Sequence, residues 1–177
     1  MKKKRNMARK IKGYSLILLM VIFVSCKSGF FSYTGALVEP NNRIDLPEES
    51  AHKALLKTGD LSVHYSYARD SNRLKLTGFI EFDDSLKYNF STIENFAFEV
   101  HFVNSDSKVI GSSIVVFFSY PQAIETIPFK HSFELPPGTY AMAFSYTGTA
   151  RDVGGSDKES GSSGSADYWR FWMTPFK

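Results

Sequence analysis

The 177-residue chain predicts an all-β domain, an antiparallel β-sandwich of about seven strands. Three observations point there. From Leu61 onward, apolar and polar residues alternate with a period of two over most of the chain. The apolar segments are rich in Phe, Tyr and β-branched residues, which fit a pleated, half-buried surface. Short polar turn signals separate these segments, and no strong helical period intervenes.

The elements follow in order. Leu61, Val63, Tyr65 and Tyr67 share one face, with Ser62, His64 and Ser66 on the other. Asp70-Ser71-Asn72 makes a turn. Leu74, Leu76, Gly78, Ile80 and Phe82 then alternate with Arg73, Lys75, Thr77, Phe79 and Glu81, so the two runs read as a hairpin with one wet face. Phe96, Phe98, Val100 and Phe102 form a third alternating run, closed by the turn Asn104-Ser105-Asp106-Ser107. Val109 to Phe118 ends apolar on both faces, as expected of a strand buried on both sides. Pro121 and Pro128 bracket a weaker edge or irregular segment. Phe129 to Leu135 alternates again. Tyr140, Met142, Phe144 and Tyr146 share a face opposite Ala141, Ala143 and Ser145, and Tyr168 to Met173 closes the chain as an aromatic strand. Residues 154–165 are mostly Gly and Ser and read as a flexible loop. A small barrel is the alternative architecture. The few strands and charged polar faces argue against a transmembrane barrel. Pro136-Pro137-Gly138-Thr139-Tyr140, a turn entering a strand, is similar to turns in immunoglobulin-like and transthyretin-like modules of bacterial envelope proteins. That resemblance implies the same sandwich architecture.

The N-terminus is of a different kind. Met1 to Lys12 carries seven basic residues and no acidic one. Leu16 to Val24 is an unbroken apolar run of nine residues, and Ser25 and Cys26 follow. A basic region, an apolar run and a small residue, in that order, make a secretory signal. A permanent membrane span needs about 20 apolar residues, and this run is shorter even when counted from Gly13. Phe23-Val24-Ser25-Cys26 resembles the lipobox of bacterial lipoproteins, with Phe23 where leucine is common. The resemblance covers the first 26 residues. It implies cleavage before Cys26, a diacylglyceryl group on its thiol, and anchorage in an envelope membrane. Cys26 is the only cysteine, so it has no internal disulfide partner, and acylation removes a free thiol from an oxidising compartment. Lys27 is not the aspartate that in this family goes with inner-membrane retention, so the resemblance implies the outer membrane, facing the periplasm. The expected division is a signal peptide over 1–25, a lipidated tether over 26–60 and a sandwich over 61–177. Gly29, Gly35, Pro40 and Pro47 mark the tether, and residues 48–57 within it are expected to form a short helix.

The net charge of +3 belongs to the signal. Without residues 1–25, fourteen basic side chains face eighteen acidic ones, a net of −4. A mildly acidic protein has no electrostatic reason to seek nucleic acid.

No constellation of residues carries a recognisable catalytic motif. His52, His64, His101 and His131 lack metal-ligand spacing. His64 and His101 fall on polar strand faces and read as solvated; on neighbouring strands they would meet as a metal pair. His131, between Phe129 and Phe133, reads as a hydrogen-bonded core group. Asp83-Asp84 and Glu48-Glu49 are adjacent carboxylates that a strand would turn to opposite faces. Asp152, Asp157 and Glu159 lack the alternation of a calcium loop, and Gly154-Gly155 precedes no helix to bind phosphate. In the last strand, Trp169, Phe171 and Met173 read as the core face. Tyr168, Arg170 and Trp172 are the surface candidate, against a stronger expectation that both faces are packed inside. These observations predict a non-enzymatic envelope module without cofactor or metal. Its expected partners are the membrane, through the lipid on Cys26, and an envelope protein or glycan. The alternative is a lipid-anchored enzyme whose site is scattered over loops and strand faces.

Overall fold

The computed structural model describes residues 33–48, 51–152 and 168–177. The expected signal peptide, Cys26 and the Gly/Ser loop lie outside the described residues. In chain order the strands are β1 (Ile44–Asp45), β2 (Ala51–Lys57), β3 (Leu61–Asp70), β4 (Arg73–Phe82), β5 (Thr92–Val103), β6 (Val109–Phe118), β7 (Gln122–Ala123), β8 (Ile127–Glu134), β9 (Ala141–Arg151) and β10 (Tyr168–Met173). One short helix, α1 (Asp84–Asn89), follows β4. The strands make two antiparallel sheets, and the fold is an all-β sandwich. Six strands run in the order β1-β9-β5-β6, with β10 also on β9 and β7 on β5; four run β2-β3-β4-β8. All seven strands read from the sequence are present.

The alternation read from the sequence sets the core. Val63, Tyr65, Leu74, Leu76, Ile80 and Phe82 of the four-stranded sheet meet Phe96, Phe98, Val100, Met142, Phe144 and Tyr146 of the six-stranded one. Aromatic rings lock across the gap: Tyr65 meets Phe144 edge-on at 5.1 Å, and Phe82 meets Phe96 at 5.4 Å. Gly78 and Gly148 each sit opposite a phenylalanine, Phe129 and Phe171. A Cβ on Gly78 would stand 2.1 Å from the His64 carbonyl oxygen and 2.8 Å from the Phe129 ring, so only glycine fits.

Three expectations are corrected here. Residues 51–57 are a strand, not part of a helix. Their composition permits a helix, but every residue from Ala51 to Lys57 pairs in register with β3, and that ladder overrides local propensity. Residues 33–48 and 51–57 belong to the sandwich rather than to a tether. The Gly35 amide donates to the Val109 carbonyl, Val38 to Ser107 and Glu39 to Pro175, while β1 pairs with β9. This entry segment covers the outer side of β9: Val38, with Tyr33, Ala36 and Phe176, seals Val103, Val109, Ala141 and Ala143. Finally, β6 is an edge strand and not doubly buried, with Phe117 53% exposed.

Burying Val38 and Leu46 contributes roughly 1.5–3 kcal/mol each. Together they are a large part of the roughly 5–15 kcal/mol typical of a whole domain. A chain begun at Pro47 is therefore expected to lose its cooperative unfolding transition and to bind an apolar dye, while one begun at Tyr33 keeps the transition. Thermal circular dichroism with dye fluorescence checks this. Identical melts for the two would refute the covering role of the entry segment.

Candidate binding faces

His101 is fully buried, at 0% exposure, on the outer side of β5 beneath the entry segment. Its Nδ1 lies 2.7 Å from Ser112 Oγ and its Nε2 2.8 Å from Ser145 Oγ. One ring nitrogen donates and the other accepts, so the neutral ring is fully satisfied. Tyr33 and Phe176 pack against it edge-on, at 5.3 and 5.0 Å. The expectation of a solvated His101 is thus corrected: residues 33–38 roof a face that strand periodicity marks as polar. Burial pulls its pKa down to about 4.

His64 does not meet it. It stands on the outer side of β3, in the other sheet, stacked on Phe79 at 4.6 Å. His131 is exposed on β8 and stacked on Phe133, which corrects its reading as a core group. His52 stacks on Tyr67. Among the described residues no three His, Cys, Asp or Glu side chains gather as metal ligands. Asp83 caps α1, accepting from the Ser85 amide, and that bond holds its carboxyl below the usual range. Asp152 accepts from the Ser91 hydroxyl. Glu48 pairs with Arg69; Glu49, Gly154, Gly155, Asp157 and Glu159 lie outside the described residues.

The outer face of the six-stranded sheet carries the exposed aromatic chemistry. The pairings align one residue from each of four strands: Trp172 on β10, Thr147 on β9, Ala97 on β5 and Phe117 on β6. Four strands span about 14 Å between the two outer members. Trp172 is 66% exposed, and it and Phe117 flank a floor of two small residues. In the next row stand Ser145, Glu99 and Ile114. Glu99 is half-buried, and burial raises its carboxyl pKa. On the far side the Arg170 guanidinium lies over the Tyr168 ring at 5.6 Å. The outward reading of Tyr168, Arg170 and Trp172 is therefore right, and the expectation that both faces of this strand pack inside is corrected. Phe171 is core, but Trp169 is 54% exposed because it lies near the strand's end, opposite Ala150 and beyond the rings that cover Phe171. Sequence reasoning missed Ile114, Phe117 and Glu99. The polar start of β6, Gly111-Ser112-Ser113, was the available signal that this strand is not buried on both sides.

The opposite outer face differs. There the row Lys53–Ser66–Thr77–Lys130 lies beside Leu55–His64–Phe79–Pro128. A shallow groove of about 300 Å³ runs between Lys53, His64, Thr77 and Phe79. A smaller apolar crevice of about 190 Å³ opens between the sheets, lined by Leu55, Leu56, Tyr65, Phe144 and Met173. Comparison with protein-family models, with curated proteins and with solved structures finds no match.

The state of His101 makes stability depend on pH. The unfolded imidazole titrates near 6.5 and the folded one near 4, so the unfolded chain binds more protons between those values. The contribution is complete above pH 6.5 and is lost as pH falls toward 4, by up to roughly 3 kcal/mol. His101→Gln, which keeps a donor and an acceptor but does not titrate, is expected to be less stable at pH 7 and flatter across this range. Urea unfolding at pH 7 and pH 4.5 measures the difference; equal slopes in both chains would refute it.

Proposed function

We propose that this chain is a lipid-anchored, non-enzymatic module of the bacterial cell envelope, with the outer face of its six-stranded sheet as the working surface. The anchor rests on the resemblance of Phe23-Val24-Ser25-Cys26 to a lipobox, behind a basic region and an apolar run. The outer membrane, facing the periplasm, is the compartment that Lys27 favours.

The observation that carries the binding reading is the aromatic row itself. Trp172 and Phe117 stand outward on a flat sheet face, with Ile114 and Tyr168 beside them. Exposing such rings forgoes burial worth roughly 1.5–3 kcal/mol for a large apolar side chain, and several exposed large apolar side chains on one sheet face are a signal of an interaction site. The strongly shifted titratable groups have structural partners instead. His101 is held by two serines, and Tyr146 lies 3.0 Å from Asp60 Oδ2 at the end of the sandwich. Tyr65 is buried between the sheets, its pKa pushed up to about 12 by burial and by neighbouring Tyr67. These groups hold the fold together.

The anchor is tested by mass spectrometry and membrane fractionation of the wild-type chain beside Cys26→Ser. The wild type is expected to carry a diacylglyceryl modification on Cys26 and to sediment with membranes. The variant is expected to be unmodified and to lose most of its membrane association, since apolar contact with a bilayer is reversible without acyl chains. If both forms fractionate alike and neither carries lipid, the anchor and the compartment assigned to it are wrong.

A further inference from the structure

The reading that Cys26 carries lipid fixes where the anchor must leave the domain. Tyr33 packs on His101, on the outer side of the six-stranded sheet. From Cys26 to Tyr33 is seven residue steps, a reach of at most about 25 Å. His101 and Ala97 are four residues apart on β5, so the aromatic row lies only about 13 Å further along the same face. A lipid on Cys26 therefore brings this face within reach of the bilayer surface.

The entry segment itself is built to match. Val38 and Phe176 are paired and point down onto the sheet, sealing Ala141 and Ala143. Their neighbours Leu37 and Lys177 then point outward by strand alternation. Lys108, paired with Leu37, does the same. An exposed leucine between two lysines lies at one end of the face, and indole, phenol and phenyl rings lie at the other. Tryptophan and tyrosine favour the membrane–water boundary, where the ring is half in hydrocarbon and the polar edge stays wet. Lysines at the rim suit anionic headgroups.

From this arrangement we infer that the aromatic outer face of the six-stranded sheet, with Leu37, Lys108 and Lys177, rests on the membrane that anchors the chain. The inference rests on the lipid-anchor reading. The tether makes docking intramolecular, at an effective concentration of roughly millimolar order, so a patch too weak to bind vesicles alone suffices. Glu99, beside the row and without an ion pair among the described residues, has its carboxyl pKa raised by burial, the direction that favours the neutral form a bilayer surface tolerates.

The chain offers its own reporter, because Trp169 and Trp172 are its only two tryptophans and both are exposed on β10. The full chain, processed and purified from membranes, is reconstituted into vesicles of zwitterionic and anionic phospholipid. One set of vesicles carries bromine near the glycerol end of the acyl chains. Tryptophan emission is expected to shift to shorter wavelength and to be quenched by the brominated lipid. Trp172→Phe is expected to remove most of the quenched component. Ile114→Asp, in the adjacent row on an exposed position, is expected to weaken the quenching without moving the unfolding midpoint. Mass spectrometry on the same sample establishes whether Cys26 is acylated. An acylated chain whose emission ignores bromine overturns the docking, leaves the anchor standing and assigns the face to a soluble partner. Quenching that Ile114→Asp does not weaken overturns the assignment to this face. An unacylated Cys26 removes the anchor reading and this inference with it.

Discussion

The structure depends on covering one strand from both sides. β9 pairs with β5 along one edge and with β1 and then β10 along the other. Its inward residues, Met142, Phe144 and Tyr146, are large and fill the space between the sheets. Its outward residues at the same end, Ala141, Ala143 and Ser145, are small, and all three are buried. Small residues leave a shallow trough, and the trough has to be filled. Val38 and Phe176, one from each end of the described chain, fill it together. Closure of the termini over β9 therefore completes the domain, and it also fixes where any N-terminal anchor departs.

Polar groups tie the ends of the sandwich where apolar packing runs out. The Tyr67 hydroxyl donates to the Asp45 carbonyl, joining β3 to β1 across the two sheets. Arg69 donates to the carbonyls of Leu46 and Thr139 and so holds the entry segment to the turn before β9. That turn is built as its residues dictate. Pro137 suits its first central position, and Gly138 takes the positive φ of 86° at the second. At the other end, Tyr146 reaches Thr58 and Asp60 in the β2–β3 connection. Each tie joins a residue of one sheet to backbone or side chain of the other, so sliding of the sheets would strand a buried polar group.

The periodicity of two made the fold class legible, and it placed the inward residues of β3, β4, β5 and β9 correctly. It failed where long-range covering overrides local pattern. His101 carries the alternation of a wet face, and segments far away in sequence, bearing Tyr33 and Phe176, make that face dry. His131 carries an apolar neighbourhood in sequence, but β8 is the edge of its sheet and leaves it exposed. The run Ala51–Lys57 has no helical or strand signature strong enough to decide it, and its partner β3 decides it instead. The aromatic face was half legible. Tyr168, Arg170 and Trp172 follow from alternation, but their alignment with Thr147, Ala97 and Phe117 requires the strand order, which the sequence does not display.

The two outer faces divide the surface chemistry in a way that gives the domain a direction. The six-stranded sheet turns outward rings and a flat floor, interrupted by Glu99 and the Glu94–Arg151 pair. The four-stranded sheet turns outward lysines at both ends of a hydroxyl row, Lys53–Ser66–Thr77–Lys130. A sandwich is about 10 Å thick between its sheets, so the two faces look in opposite directions and a single flat surface cannot occupy both. If the bilayer takes the aromatic face, the lysine row and the groove beside His64 and Phe79 point into the aqueous compartment. Lysines held apart on a rigid sheet are strongly hydrated point charges, suited to anionic groups arriving from solution. The closure over β9 thus connects to the surface: the segment that seals the trough covers part of the outer face of the six-stranded sheet and leaves the outer face of the four-stranded sheet uncovered by it.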